Sequence, residues 1–341
     1  MIVTDVRDNK MELFCEEMRK RLGASECRSF SGRVEAVIAL FDAIQLGAKD
    51  CVYLSALTPG YIVRAIIACG AIPVFCDVTP DGFVLDHRVL TEAVRQTVNE
   101  DKLYPRAVIA DHFQGFPCSM GAVKGLCDRM GLLLIENCGN GFGCLWDHKE
   151  CGCFGDYSLI SLGKSSVFGT GGSGCLAVAN GQSALGSLIG NCDGSGWDSA
   201  DGIYSEELLK SLEEIPQRLA RAQAAIDEIR DTLNESDFWL QSGGGKQKSS
   251  CAGTVVVAQS EALCDAAMTR FANAGLLEYV SRIHVHHRTC FDHGCRGFKT
   301  LENASVLGPR SLAVDIFGSI SGGRIDGVKR CMKKIVANIH S

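Results

Sequence analysis

The chain has 341 residues, long enough to bury a large core, and one larger plus one smaller domain is the natural division at this length. A formal net charge of −6 without any Lys/Arg-rich run argues against a nucleic-acid surface, and 46% hydrophobic against 22% charged residues is the balance of a soluble globular protein. No apolar stretch reaches the length of a membrane span, and the first ten residues lack the basic-then-apolar pattern of a secretory signal, so no membrane partner and a cytoplasmic location are expected. The 18 cysteines then read as reduced thiols, and most, such as Cys51, Cys69, Cys76 and Cys175, sit in apolar runs as small hydrophobes.

Met11, Phe14, Met18 and Leu22 share one side of a helix over 9–22, which Gly23-Ala24-Ser25 ends. Val34, Val37, Ile38, Phe41 and Ile44 predict a second helix ending near Gly47. Cys51 to Leu54 reads as a buried strand, Thr58-Pro59-Gly60 opens a helix to Cys69, and Ile72 to Cys76 is the next strand. Leu85 to Val98 is helical with Asp86 as its cap. Then come a strand at Ala107–Ala110, a helix at Ser119–Met130 and a strand at Leu132–Ile135. Tyr157–Leu162 and Cys175–Val178 are apolar strands on either side of a glycine-rich turn, and residues 180–204 look like loop. A long helix over Glu206–Leu233, bent at Pro216, leads to a hinge or linker at Ser242–Gly245. Beyond it are a strand at Thr254–Val257, a helix at Glu261–Ala274, a strand at Ser311–Ile316 and a closing helix at Gly327–Ile339.

Strands alternating with helices at this spacing imply βαβ units and a mostly parallel sheet, so the fold class is α/β. The expected domains are 1–235, a large α/β domain including the long helix, and 236–341, a small α+β domain. Ligands in such sheets bind beyond the carboxyl ends of the strands. The informative residues are therefore Ser55 to Thr58, His112 to Gly115, Glu136 to Asn140 and Ser161 to Lys164.

Among these, Lys164 follows a strand carrying small hydroxyls at Ser158 and Ser161 and precedes Gly169, Gly171, Gly172 and Gly174. A lysine at the end of a buried strand has little to solvate its charge. Desolvation lowers an amine's pKa and makes it a nucleophile able to condense with a carbonyl, pyridoxal phosphate (PLP) included. The plainer alternative is a strand–turn–strand with the lysine in water.

Several dispersed motifs occur in order. They are Cys69-Gly70-Ala71-Ile72-Pro73-Val74-Phe75-Cys76-Asp77-Val78-Thr79-Pro80-Asp81 followed by Leu85-Asp86; His112-Phe113-Gln114-Gly115-Phe116-Pro117 with Met120; Ile135-Glu136-Asn137-Cys138-Gly139-Asn140; and Gly155-Asp156, then Lys164 and Gly169-Thr170-Gly171-Gly172. This order resembles the sugar aminotransferases of the DegT/DnrJ/EryC1/StrS family, from about Ser31 to the C-terminus. The resemblance implies the type I PLP-dependent transferase fold, a mostly parallel central sheet with a smaller C-terminal α+β domain. It implies that Lys164 forms the internal aldimine with PLP and later shuttles protons. It places residue 137 against the pyridine nitrogen, Asn140 and Thr58 in the cofactor site, and His112 on or near the cofactor face. The phosphate would be held by Ser161 and by the 31–34 turn, where Gly32 opens a helix N-terminus and Arg33 offers a bidentate pair. The implied substrates are a nucleotide-linked keto sugar and an amino-acid donor, and the implied assembly is a homodimer with its sites at the interface.

The chain departs from the family's pattern in places. Asn137 stands where the family has Asp, and a neutral amide does not hold the pyridine proton by charge. Asn140 replaces a glutamine, and Pro59 stands where an aromatic is expected to stack on the ring. The 156–164 segment is about two residues short, and the family's Asn-Tyr-Arg segment is not visible in 190–204. These departures motivate a second reading, a fold-retaining homologue with impaired or no catalysis. A third is a metal-binding protein: Cys144, His148, Cys151 and Cys153 offer zinc- or cluster-type ligands within ten residues, with Cys138 upstream. The run His284-Val285-His286-His287 falls where the family's substrate-facing segment carries a histidine.

Overall fold

The computed structural model describes residues 6–99, 103–139, 141–172, 174–181, 202–233, 236–283, 285, 296–297 and 301–337. Helix α1 (Val6–Leu22) is followed by strand β1 (Glu26–Phe30), α2 (Arg33–Ala43), β2 (Asp50–Ser55), α3 (Gly60–Ala68), β3 (Ile72–Cys76), α4 (His87–Val98), β4 (Tyr104–Asp111), α5 (Met120–Met130) and β5 (Leu133–Asn137). A short hairpin, β6 (Leu145–Trp146) and β7 (Lys149–Glu150), precedes β8 (Tyr157–Ser161) and β9 (Cys175–Ala179). After the long helix Gly202–Leu233 come β10 (Phe238–Leu240), β11 (Gln247–Lys248), β12 (Gly253–Ala258), β13 (Val280–Arg282), β14 (Arg296–Gly297) and β15 (Ser311–Asp315).

The main sheet has eight strands in the order β1-β9-β8-β5-β4-β2-β3-β14. Neighbours from β14 to β8 run parallel, and β9 and β1 complete the sheet antiparallel. Near-continuous apolar strands are what a sheet covered on both faces needs. One face packs on α2 and α3 through Val37, Leu40, Ile62 and Ile66. The other packs on α1, α4 and α5 through Phe14, Leu90 and Val123, and the long helix lies against α1. A second, antiparallel sheet has the order β10-β12-β15-β13, and β11 joins the β6–β7 hairpin in a third.

The predicted strands and helices are present within a few residues, and Asp86 caps α4 by accepting from the Arg88 amide. The long helix continues through Pro216. Strand β1 is absent from the sequence reading because Glu-Cys-Arg-Ser-Phe is not an apolar run; its place comes from pairing with β9. Ser242–Gly245 is not a free hinge. The Ser242 amide donates to the Asp81 carbonyl at 3.0 Å and the Gly244 amide to Gln247 Oε1 at 2.7 Å. No helix among the described residues is long and apolar enough to cross a membrane.

Candidate active site

Side chains alternate between the two faces of a strand, and this alternation sorts the candidate residues. In β4, Ala107 and Ile109 belong to the α2/α3 face, so Asp111 does too, while Val108 and Ala110 belong to the other. In β5, Ile135 lies on the α2/α3 face and Asn137 follows it there. The parallel register sets Asp111 beside Asn137. Asn137 is buried; its Nδ2 donates to Asp111 Oδ1 at 3.0 Å and its Oδ1 accepts from the Gly139 amide at 3.2 Å. The second oxygen of Asp111, Oδ2, is buried and has no hydrogen-bond partner among the described residues. Burial pushes the Asp111 pKa up to about 7, against the weaker pull of the Asn137 amide. At the end of neighbouring β2, the hydroxyl of fully buried Thr58 is likewise without a partner.

Tyr61 and Arg33 lie on the same face. The Arg33 guanidinium stands over the Tyr61 ring at 5.5 Å, and the Tyr61 phenol is pushed up by burial and by nearby Cys175 and Asp111. Gly32 is the cap residue of α2 and has no side chain to cover the helix's free amides; the Glu35 carboxylate folds back against it. Ser161, buried at the end of β8, accepts from the Gly163 amide at 3.4 Å.

Lys164 sits just beyond β8, but not as desolvation would have it. Its side chain is 43% exposed and its Nζ donates to Glu278 Oε1 at 2.5 Å, 5.2 Å above the Tyr279 ring. The Glu278 hydrogen bond raises its pKa above the ordinary lysine value and outweighs desolvation. The expected lowered pKa is therefore corrected: the loop before β13 supplies a counter-charge that the strand-end context did not reveal. The glycine turn beyond it is built tightly. Arg218 from the long helix donates to the carbonyls of Val167 and Phe168 at 3.1 and 2.6 Å, and Thr170 Oγ1 donates to the Leu162 carbonyl at 2.6 Å. Gly169 has φ +62°, and a Cβ there would lie 2.7 Å from Arg218 Nη1, so glycine is favoured.

His112 is corrected more sharply. It follows Ala110 onto the opposite face, where its Nδ1 accepts from the Cys118 amide at 3.1 Å and its Nε2 faces Glu136 Oε2 at 3.1 Å. With Nδ1 accepting, the proton sits on Nε2 and is donated to Glu136. Glu136 also accepts from the amides of Gly152, Phe154 and Gly155. Although burial favours its neutral form, His112 and those amides hold its carboxyl below the usual range. This is a structural network behind the sheet, away from the α2/α3 face. Asn140 and the run His284–His287, apart from Val285, lie outside the described residues.

The proposed Cys144/His148/Cys151/Cys153 constellation does not converge. His148 is exposed at the β6–β7 turn and Cys153 is only partly buried. Among the described residues the donors that do converge are His112 with Cys144 and Cys151, and His112 with Glu136 and Cys138. While both His112 nitrogens are committed as above, the imidazole has no lone pair for a metal.

Comparison with known proteins bears on this arrangement. Residues 5–189 match the model of the DegT/DnrJ/EryC1/StrS aminotransferase family. The chain belongs to this family. GDP-perosamine synthase of Vibrio cholerae is 29% identical over 175 residues, 51% of this chain and 45% of that protein. The dTDP-3-amino-3,4,6-trideoxy-alpha-D-glucose transaminase of Micromonospora megalomicea subsp. nigra is 28% identical over 170 residues, 50% of this chain and 44% of that protein. Each match thus spans less than half the length of the curated relative. The crystal structure of a DegT DnrJ EryC1 StrS aminotransferase from Brucella abortus superposes with a TM-score of 0.83 at 19% identity, covering 96% of this chain and 90% of that one. At that identity the likeness shows the fold, that of type I PLP-dependent transferases.

The α2/α3 face fits PLP on its own terms. Two buried polar groups, Asp111 Oδ2 and Thr58 Oγ1, lack partners among the described residues, and such groups are normally satisfied. The N-terminus of α2 and Arg33 lie on the same face, where the Glu35 carboxylate folded against Gly32 has to move aside to admit a phosphate. Sequence reading missed Asp111 and Tyr61. The first was signalled by a carboxylate ending an apolar strand, the second by an aromatic three residues after Thr58.

Proposed function

We propose that this DegT family member is a PLP-dependent aminotransferase, moving an amino group from an amino-acid donor to a nucleotide-linked keto sugar, as a homodimer in the cytoplasm. The observation that carries the reading is the position of Lys164, in the turn after β8 at the carboxyl edge of the same sheet whose strands β4 and β5 end in Asp111 and Asn137. The family membership and the printed names of the relatives, both makers of nucleotide-linked amino sugars, support it.

Lys164 is the residue that would hold the cofactor covalently. Gly32, Arg33 and Ser161 would hold its phosphate, and Thr58, Asn137 and Asn140 its ring. Bound there, PLP supplies an electron sink for chemistry at the substrate's amine-bearing carbon. Lys164 Nζ carries its proton while Glu278 pairs with it, so that proton has to leave before the amine can condense with a carbonyl. Tyr279 and Asp315, which accepts from Ser165, border the lysine from the second-sheet side.

The test is reconstitution with PLP, followed by absorbance, borohydride reduction and peptide mass mapping of wild type and Lys164→Ala. A visible band that borohydride removes, with a pyridoxyl mass on Lys164 absent from the variant, is expected. Protein that stays colourless and unlabelled would favour the fold-retaining, non-catalytic reading that Asn137 and the Lys164–Glu278 pair otherwise motivate.

A further inference from the structure

The family site needs an acid at the ring nitrogen, and this chain has an amide at position 137. We propose that Asp111 supplies that carboxylate from the adjacent strand, with Asn137 as its positioning residue. The proposal rests on the PLP reading above.

Geometry carries it. Asp111 and Asn137 are partners in the parallel register at the carboxyl ends of β4 and β5, on the α2/α3 face. The Asn137 amide fixes one Asp111 oxygen at 3.0 Å, and its own oxygen is committed to Gly139. Asn137 thereby anchors the carboxyl and leaves Oδ2 for a third group. Asp111 is 6% exposed, so water does not serve Oδ2 as it would on a surface.

Other acids at this edge are already committed. Glu136 points to the opposite face and accepts from three amides and His112. Asp77, just beyond β3, accepts from the amides of Val78, Asn303 and Ala304. Asp315 accepts from Ser165 and Gly318. Among the described residues only one other buried carboxylate oxygen lacks a partner, Glu26 Oε2, and it lies at the first residue of β1. Thr58, with its free hydroxyl, and Tyr61, whose phenol feels the Asp111 charge, belong to the same side of the site. A carboxyl that titrates near neutrality shares a proton readily with a pyridine nitrogen, whose proton then sits between ring and oxygen with no other reactant needed.

The experiment uses full-length protein loaded with ¹⁵N-labelled PLP. It reads the pyridine nitrogen's chemical shift and the PLP dissociation constant, with borohydride labelling of Lys164 as a separate check on loading. Wild type is expected to show a protonated ring nitrogen. Asp111→Asn should lose that signature and bind PLP about ten- to a hundredfold more weakly, while the label still forms on Lys164. The exchanged pair Asp111→Asn/Asn137→Asp keeps the interstrand hydrogen bond, and with it the local fold, and should restore the protonated ring. An unchanged shift and affinity in Asp111→Asn, or a loss that the exchanged pair does not restore, overturns the assignment with the PLP reading intact. A wild type that takes no label on Lys164 overturns both.

Discussion

Asp111→Asn should stabilise the cofactor-free protein, and by an amount that depends on pH. Burial raises the carboxyl from 3.8 to about 7, so ionising it in the folded state costs about 4 kcal/mol more than in the unfolded chain. The direction comes from proton counting. Between these values the folded state holds a proton that the unfolded state has released, so Asp111 lowers stability as pH rises through that window, and its effect levels off above about 7. Asparagine keeps the volume and can still accept from Asn137 Nδ2, but never ionises. The gain is therefore about 1 kcal/mol near pH 4.5 and about 4 kcal/mol near pH 8. With ~0.7 kcal/mol/K of unfolding entropy for a chain of this length, the pH 8 gain is a rise of about 6 °C in Tm. Differential scanning calorimetry of hydroxylamine-stripped wild type and variant at both pH values gives the comparison, and groups that titrate in both proteins cancel in the difference. Equal shifts at the two pH values would mean that Asp111 is ordinary in the folded state, and the argument from its burial would fail.

Other perturbations separate architecture from chemistry. Glu136→Ala removes the acceptor for three amides and His112 and should cost about 3–5 kcal/mol in urea unfolding; a loss below about 1 kcal/mol would contradict the network. Gly169→Ala forces a side chain into left-handed backbone and against Arg218, so a loss of about 1–3 kcal/mol is expected, with weaker PLP loading because the turn comes just after Lys164. Protein purified without chelator should carry only substoichiometric zinc or iron by elemental analysis, since both His112 nitrogens are engaged; one tightly held ion per chain would show that Cys144 and Cys151 bind metal.

The fold was legible because its strands are short apolar runs set between well-punctuated helices, and that pattern has few solutions other than a covered parallel sheet. The segments that escaped are those whose structure comes from a partner. Strand β1 is held by β9, and the two-residue strands β6, β7 and β11 exist only as one another's neighbours. The loop at Ser242–Gly245 looked flexible by composition, yet its amides and neighbours bond to the turn at Asp81 and to Pro117. Composition reports the freedom of the unbonded chain, and tertiary hydrogen bonds remove it.

For the site, the decisive variable was face, and face is a matter of odd and even. The reading that ligands gather beyond strand ends directed attention to the stretch from His112 to Gly115, which begins one residue past the true end of β4 at Asp111. That single step inverted the side. His112 went to the back of the sheet with Glu136, and the residue sharing a face with Asn137 was passed over. The same parity argument bears on Asn137 itself. An Asp-to-Asn change at a position that faces a ring nitrogen, considered alone, removes charge and argues for lost chemistry. With a carboxylate at the facing register position on the next strand, the pair still holds one acid and one amide, joined by one hydrogen bond, with one oxygen left open to the site. If Asp111 serves the ring nitrogen as proposed, the departure at 137 leaves an acid in the pair and does not by itself count against catalysis.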